Sequence, residues 1–124
     1  MGLSDRPLLL FDNSEMISLL NEGEYKVMNL SFDEAREIID SHGDDVIKCF
    51  TRNELELIMF NYLGMKQRQY TYKNIRNMRP GQDAIVFKLY KTPSSTQPII
   101  IVDGVEAKKI QNIYAYCQYI SKVK

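Results

Sequence analysis

The chain has no tryptophan and a single histidine, His42, among its 124 residues. Aromatic packing, and any stacking on a nucleobase, therefore falls to its eight Tyr and five Phe. The two cysteines, Cys49 and Cys117, lack the close spacing of a zinc site, and His42 is near neither of them in sequence. Both read as reduced core thiols in a cytosolic protein, and no metal or other cofactor is expected. No apolar run approaches the roughly 20 residues needed to cross a bilayer. The stretch Arg6-Pro7-Leu8-Leu9-Leu10-Phe11 is too short for a signal segment and is ended by Asp12. A soluble, cytoplasmic protein with no membrane partner is the expectation. None of GxGxxG, GxxxxGK[ST], HExxH or GxSxG occurs, which removes the common nucleotide-fold and hydrolase motifs.

Acidic residues are missing from one long stretch. Residues 57–82 contain no Asp or Glu yet carry Lys66, Arg68, Lys73, Arg76 and Arg79. The formal net charge is zero, but residues 1–56 hold thirteen acids against five bases and residues 57–124 hold three against eleven. Keeping the signs apart creates a positive surface that attracts anions such as phosphates, and a negative one suited to a partner or a second copy. Solvated faces with no ligand are the alternative.

A hydrophobic content of 44% and a charged content of 26% are ordinary for a globular protein. The length predicts a single α/β domain over 1–124, with a mixed central sheet of about five strands and two or three helices packed on it. Leu8–Phe11 and Tyr25–Leu30 read as strands, separated by the turn-forming Asn21-Glu22-Gly23. Ser31-Phe32-Asp33-Glu34 is a capping box, followed by an apolar helical stripe at Phe32, Ala35, Ile38 and Ile39 that must stop at Gly43. A second capping box, Thr51-Arg52-Asn53-Glu54, opens a helix carrying Leu55, Ile58, Met59 and Tyr62, with its stop at Leu63-Gly64. Gln69–Tyr72 alternates as an exposed strand. After the turn Arg79–Gln82, Asp83–Leu89 is the best strand and a central one. Residues 92–96 read as a loop and Ile99–Val102 as a strand closed by Asp103-Gly104; Val105–Ile110 fits a turn or two of helix. The segment around 113–121 fits either period, and the strand reading is preferred.

Groups able to change protonation near neutral pH are few. His42, in Ser41-His42-Gly43, reads better as the cation closing the first helix than as a catalytic base. Asp44-Asp45 would more readily be a solvated turn than a metal site. Glu54 and Glu56 face different ways on a helix and make no acid/base pair. What remains is anion binding. The amino end of the second helix presents backbone amides at Thr51, Arg52 and Asn53 together with the Arg52 guanidinium, a ready phosphate site unless the capping box already satisfies those amides.

Taken in order, these segments resemble the viral ring nucleases that act as type III anti-CRISPR proteins, together with their bacterial mobile-element relatives. The matching residues cover most of the chain: the strand ending Asp12-Asn13-Ser14, the Gly23–Val27 strand, Glu34-Ala35-Arg36-Glu37 on the first helix, Leu63-Gly64 ending the second, and Gly81-Gln82 before the Ala84–Leu89 strand. Members carry a His just before the second helix that assists cleavage of cyclic tetra-adenylate. Here that place falls on Phe50 or Arg52, depending on the direction of counting, and neither is an acid or base at neutral pH. The Arg-x-x-Glu after the central strand reads Lys91-Thr92-Pro93-Ser94, which keeps the cation and loses the carboxylate. The resemblance implies a homodimer or higher homo-oligomer in the host cytoplasm that binds a nucleotide-derived immune messenger, a cyclic oligonucleotide or an ADP-ribose-type molecule, and the missing imidazole makes sequestration without turnover the sharper expectation. It implies a ligand site of Asn13, Ser14, Phe50, Thr51, Arg52, Asn53 and Lys91, with no DNA partner. Tyr70 or Tyr72 could stack on a base, although a Tyr in an alternating strand is more often simply packed. A metal-independent ring nuclease and a protein-binding inhibitor with no small ligand are the alternatives.

Overall fold

The computed structural model describes residues 4–12, 22–49, 57, 59–61, 63–64, 71–72, 78–90, 97–102, 104–110 and 113–124. They form an α/β fold built on one mixed sheet. Its strands are β1 (Leu8–Asp12), β2 (Tyr25–Leu30), β3 (Val46–Lys48), β4 (Thr71–Tyr72), β5 (Asp83–Tyr90), β6 (Ile99–Val102), β7 (Val105–Ile110) and β8 (Ile113–Lys122). A helix, α1 (Phe32–His42), joins β2 to β3. Residues 57 and 59–61 are also helical.

The sheet order is β4-β3-β1-β5-β8-β7-β6, with β2 also paired to β8. Strands β4, β3, β1 and β5 run parallel, whereas β8 is antiparallel to β5, β2 and β7. One edge of β8 pairs with β5 along eight residues, from Tyr114 to Ser121. The other edge is divided, with β7 against its first three residues and β2 against its last six. The sheet is thus wider than the expected five strands, while its mixed character is as read.

Local chemistry explains most elements. β1 is buried along its whole length because a parallel strand flanked on both sides has no solvent face. The Ser31 hydroxyl accepts from the Glu34 amide at 3.1 Å and Glu34 accepts from the Ser31 amide at 3.0 Å, so the predicted capping box starts α1. Those two bonds hold the Glu34 carboxyl below its ordinary range. α1 ends at Gly43, whose amide reaches the Asp40 carbonyl. At the turn into β5, Gly81 adopts φ 83°, a conformation that costs a side-chain-bearing residue strain.

One expectation is corrected. Val105–Ile110 is not helical but is β7, held between β6 and β8. Its apolar residues at 105, 107 and 110 fit a helical stripe, but 105 and 107 also alternate, and pairing with both neighbours decides the outcome. The preferred strand reading of the last segment holds, as β8.

The core lies on both faces. Leu8, Leu10, Ile85, Phe87 and Cys117 pack under Ala35 and Ile39 of α1 and under Met59, Phe60 and Leu63. On the opposite face Leu9, Phe11, Ile47, Cys49 and Val86 pack with Met78 and Ile120. Both thiols are free and buried, and burial pushes Cys117 well above the ordinary thiol range. Each fully buried aliphatic side chain contributes about 1.5–3 kcal/mol. No helix among the described residues is long and apolar enough to cross a membrane.

Candidate functional site

β1 is the strand at which the connectivity reverses. From β1 the chain runs first to β2 against β8, returns through α1 to β3 and β4 on the other side of β1, and then crosses to place β5 between β1 and β8. The connection leaving β1 leads to the β8 side and that leaving β3 to the β4 side, and in a parallel sheet such a divergence leaves a crevice outside the carboxyl ends of the two strands. The carboxyl ends of β3, β1 and β5 are therefore neighbours. The Cys49 amide extends the β3 ladder by donating to the Leu10 carbonyl at 2.8 Å.

The register fixes which described residues are level at this rim. Asp12, the last described residue of β1, is level with Phe87, and Lys88, Leu89 and Tyr90 of β5 pair with β8. Asp12 is only 1% exposed. Beyond it, Tyr90 stacks on Tyr116 with ring centroids 6.0 Å apart and 14° between planes. The Tyr114 hydroxyl is fixed by donating to the Gln97 carbonyl at 2.5 Å. Half-buried Tyr90 and Lys88 thus share one face of the sheet past the level of Asp12.

All seven residues read from the sequence as ligand contacts, Asn13, Ser14, Phe50, Thr51, Arg52, Asn53 and Lys91, lie outside the described residues. The strand ends that lead into them are described. Asn13 and Ser14 follow Asp12 of β1, Phe50 to Asn53 follow Cys49 after β3, and Lys91 follows Tyr90 of β5. Sequence positions far apart are thereby fed from three adjacent strand ends. The chain leaving β3 is helical at residue 57 and returns over the sheet through Met59, Phe60 and Leu63. A helix following a parallel strand in this way aims its amino end at the crevice, the arrangement that binds anions in α/β folds. Tyr70 also lies outside the described residues, and Tyr72 is in β4, one strand beyond β3.

His42 is at the other end of the sheet. It closes α1, with Nδ1 2.8 Å from the Ile38 carbonyl oxygen. Its own carbonyl accepts from the Asp45 amide, which precedes the amino end of β3. Asp45 is tied by the Ser4 hydroxyl at 2.6 Å and the Ser4 amide at 2.8 Å, so this acid of the Asp44-Asp45 pair serves a structural clasp. No group of three or more potential metal ligands occurs among the described residues.

Sequence reasoning missed Asp12 and Tyr90 as rim residues. The signal was present in their positions as the last residues of two strands, but it becomes legible only once β1 and β5 are known to pair in parallel. Compared with models of known protein families and with curated proteins, the chain matches none.

Proposed function

We propose that the chain binds a nucleotide-derived anion in the crevice at the carboxyl ends of β3, β1 and β5 and holds it without cleavage. The topological reversal at β1 carries this reading, because it puts the three strand ends leading into the candidate residues side by side. The Arg52 guanidinium and the amides of Thr51, Arg52 and Asn53 would hold a phosphate, with Lys91 as a second cation and Asn13, Ser14 and Phe50 lining the crevice. Tyr90 supplies an aromatic face for a base.

The position of the imidazole supports retention without turnover. His42, the chain's one histidine, caps α1 at the end of the sheet opposite the crevice. An arginine at neutral pH stabilises charge but does not relay protons. The similarity to viral ring nucleases, with their catalytic imidazole replaced, supports the same view: an anti-defence protein of a virus or mobile element, in the host cytoplasm, working as a homo-oligomeric sponge for a cyclic oligonucleotide or ADP-ribose-type messenger.

The test is to incubate the protein with a panel of cyclic nucleotides and ADP-ribose derivatives, release bound molecules by heat, and analyse them by mass. Intact ligand is expected, and Arg52→Ala should weaken retention roughly 10- to 150-fold, the worth of a charge-assisted hydrogen-bonded contact. Cleaved ligand would replace the sponge with an enzyme. No ligand retained from any class, with no thermal shift, would replace it with a protein-binding inhibitor.

A further inference from the structure

β6 ends the sheet path, and among the described residues its outer edge pairs with nothing. Exposed edges are usually blunted by a charge, a bulge or an inward-pointing Lys, yet the strand reads Ile-Ile-Ile-Val. Ile99 is 42% exposed and Ile101 is 66% exposed, on the face opposite Ile100 and Val102, which pack on the Tyr114 cluster. The other edge strand with exposed apolar residues, β2, carries Lys26.

The backbone phase of β6 is set by one bond. The Lys109 amide donates to the Pro98 carbonyl at 2.8 Å, so Pro98 faces β7. By the alternation of an antiparallel ladder Ile100 and Val102 also face β7, and the N–H and C=O groups of Ile99 and Ile101 point outward.

We propose that β6 pairs antiparallel with β6 of a second copy of this chain, about a two-fold axis at Ile100. Ile99 then lies opposite the partner's Ile101, and the outward groups of both residues on both strands are satisfied at once. The side chains agree with this register. On the exposed face Lys108 of β7 is beside Ile99 and Glu106 is beside Ile101. Each row across the junction therefore reads base, Ile, Ile, acid, and the axis generates the same row reversed. Shifting the register to set Ile99 against its own copy would end that row in two lysines. Four residues a strand make a junction at the small end of specific interfaces, so a dissociation constant on the order of 1–100 μM follows. This surface is independent of the ligand crevice, and its test is read without ligand.

Sedimentation velocity on the full chain should show a concentration-dependent monomer–dimer equilibrium. Ile101→Lys and Ile99→Glu, both at exposed positions and both checked for native circular dichroism, should each weaken self-association roughly 100-fold, because each disturbs both rows of the symmetric junction. An equimolar mixture of the two variants should dimerise again. One row then sets the introduced carboxylate against the introduced ammonium, and the other row remains Ile on Ile. A wild-type chain that stays monomeric at about 1 mM, well above that range, would overturn the proposal. So would variants that dimerise like wild type, or a mixture that fails to recover.

Discussion

Asp12 and Phe87 are paired neighbours on the parallel strands β1 and β5, and Tyr90 lies three residues beyond Phe87 on β5. Asp12 shares its face of the sheet with Phe87, whereas Lys88 and Tyr90 lie on the other, so this rim carries a buried carboxylate on one face and a cation and an aromatic ring on the other. The proposal of ligand capture rests on the adjacency of the β3, β1 and β5 ends at this rim.

Tyr90 is expected to stack on the base of a bound nucleotide. Tyr90→Ala should weaken nucleotide retention by about 1–3 kcal/mol, the usual worth of one base–aromatic contact, whereas Tyr90→Phe should leave it nearly unchanged. Isothermal titration on both variants, alongside thermal melts to separate loss of the Tyr116 contact, checks this. Equal losses for Ala and Phe would remove stacking from the account.

Ile39 is completely buried where α1 meets the sheet. Ile39→Ala should cost about 2–5 kcal/mol through lost burial and the cavity left behind, and Ile39→Val about 1 kcal/mol. Denaturant titrations should show lower midpoints with unchanged slopes.

The Ser4–Asp45 clasp should make stability fall in acid. The Ser4 hydroxyl, with the Ser4 amide and the nearby His42 acting in the same direction, holds the Asp45 carboxyl below its ordinary value. A carboxyl with a depressed folded-state pKa stabilises the fold above its unfolded value, near 4, and loses that contribution as pH drops through the folded value. Asp45→Asn should therefore lower the melting temperature at pH 7, and the gap to wild type should close as the pH falls below about 4. A gap that is the same at pH 7 and pH 3 would show that the charge is not what matters.

Locally coded features were the legible ones. The reciprocal bonds of Ser31 and Glu34 depend on residues three apart, so α1 could be read directly, and the apolar run from Asp83 announced β5 as a central strand. β3 escaped notice because three residues, Val46 to Lys48, carry no period of their own and are a strand only through β1 and β4. β7 was misread for a related reason, since its pattern suits two periods until β6 and β8 choose one. The tie between Tyr119 and Asp83, 2.5 Å across the β5–β8 ladder, was likewise invisible; together with burial, the larger cause, it pushes the Tyr119 phenol well above the ordinary range. As for the crevice, the candidate residues lie outside the described residues, and the adjacency of the strand ends that precede them is a property of parallel pairing between segments more than thirty residues apart.

β8 is the shared partner of β5, β2 and β7 and lies downstream of all three. During synthesis, β2 must wait for about ninety further residues before its only described ladder can form. Until then Val27 and Met28, with the flank of β5 that β8 will cover, are open to the wrong neighbours. Maturation of this protein should accordingly be a late, concerted event governed by long-range closure and sensitive to chaperone supply, with no early amino-terminal intermediate stable by itself.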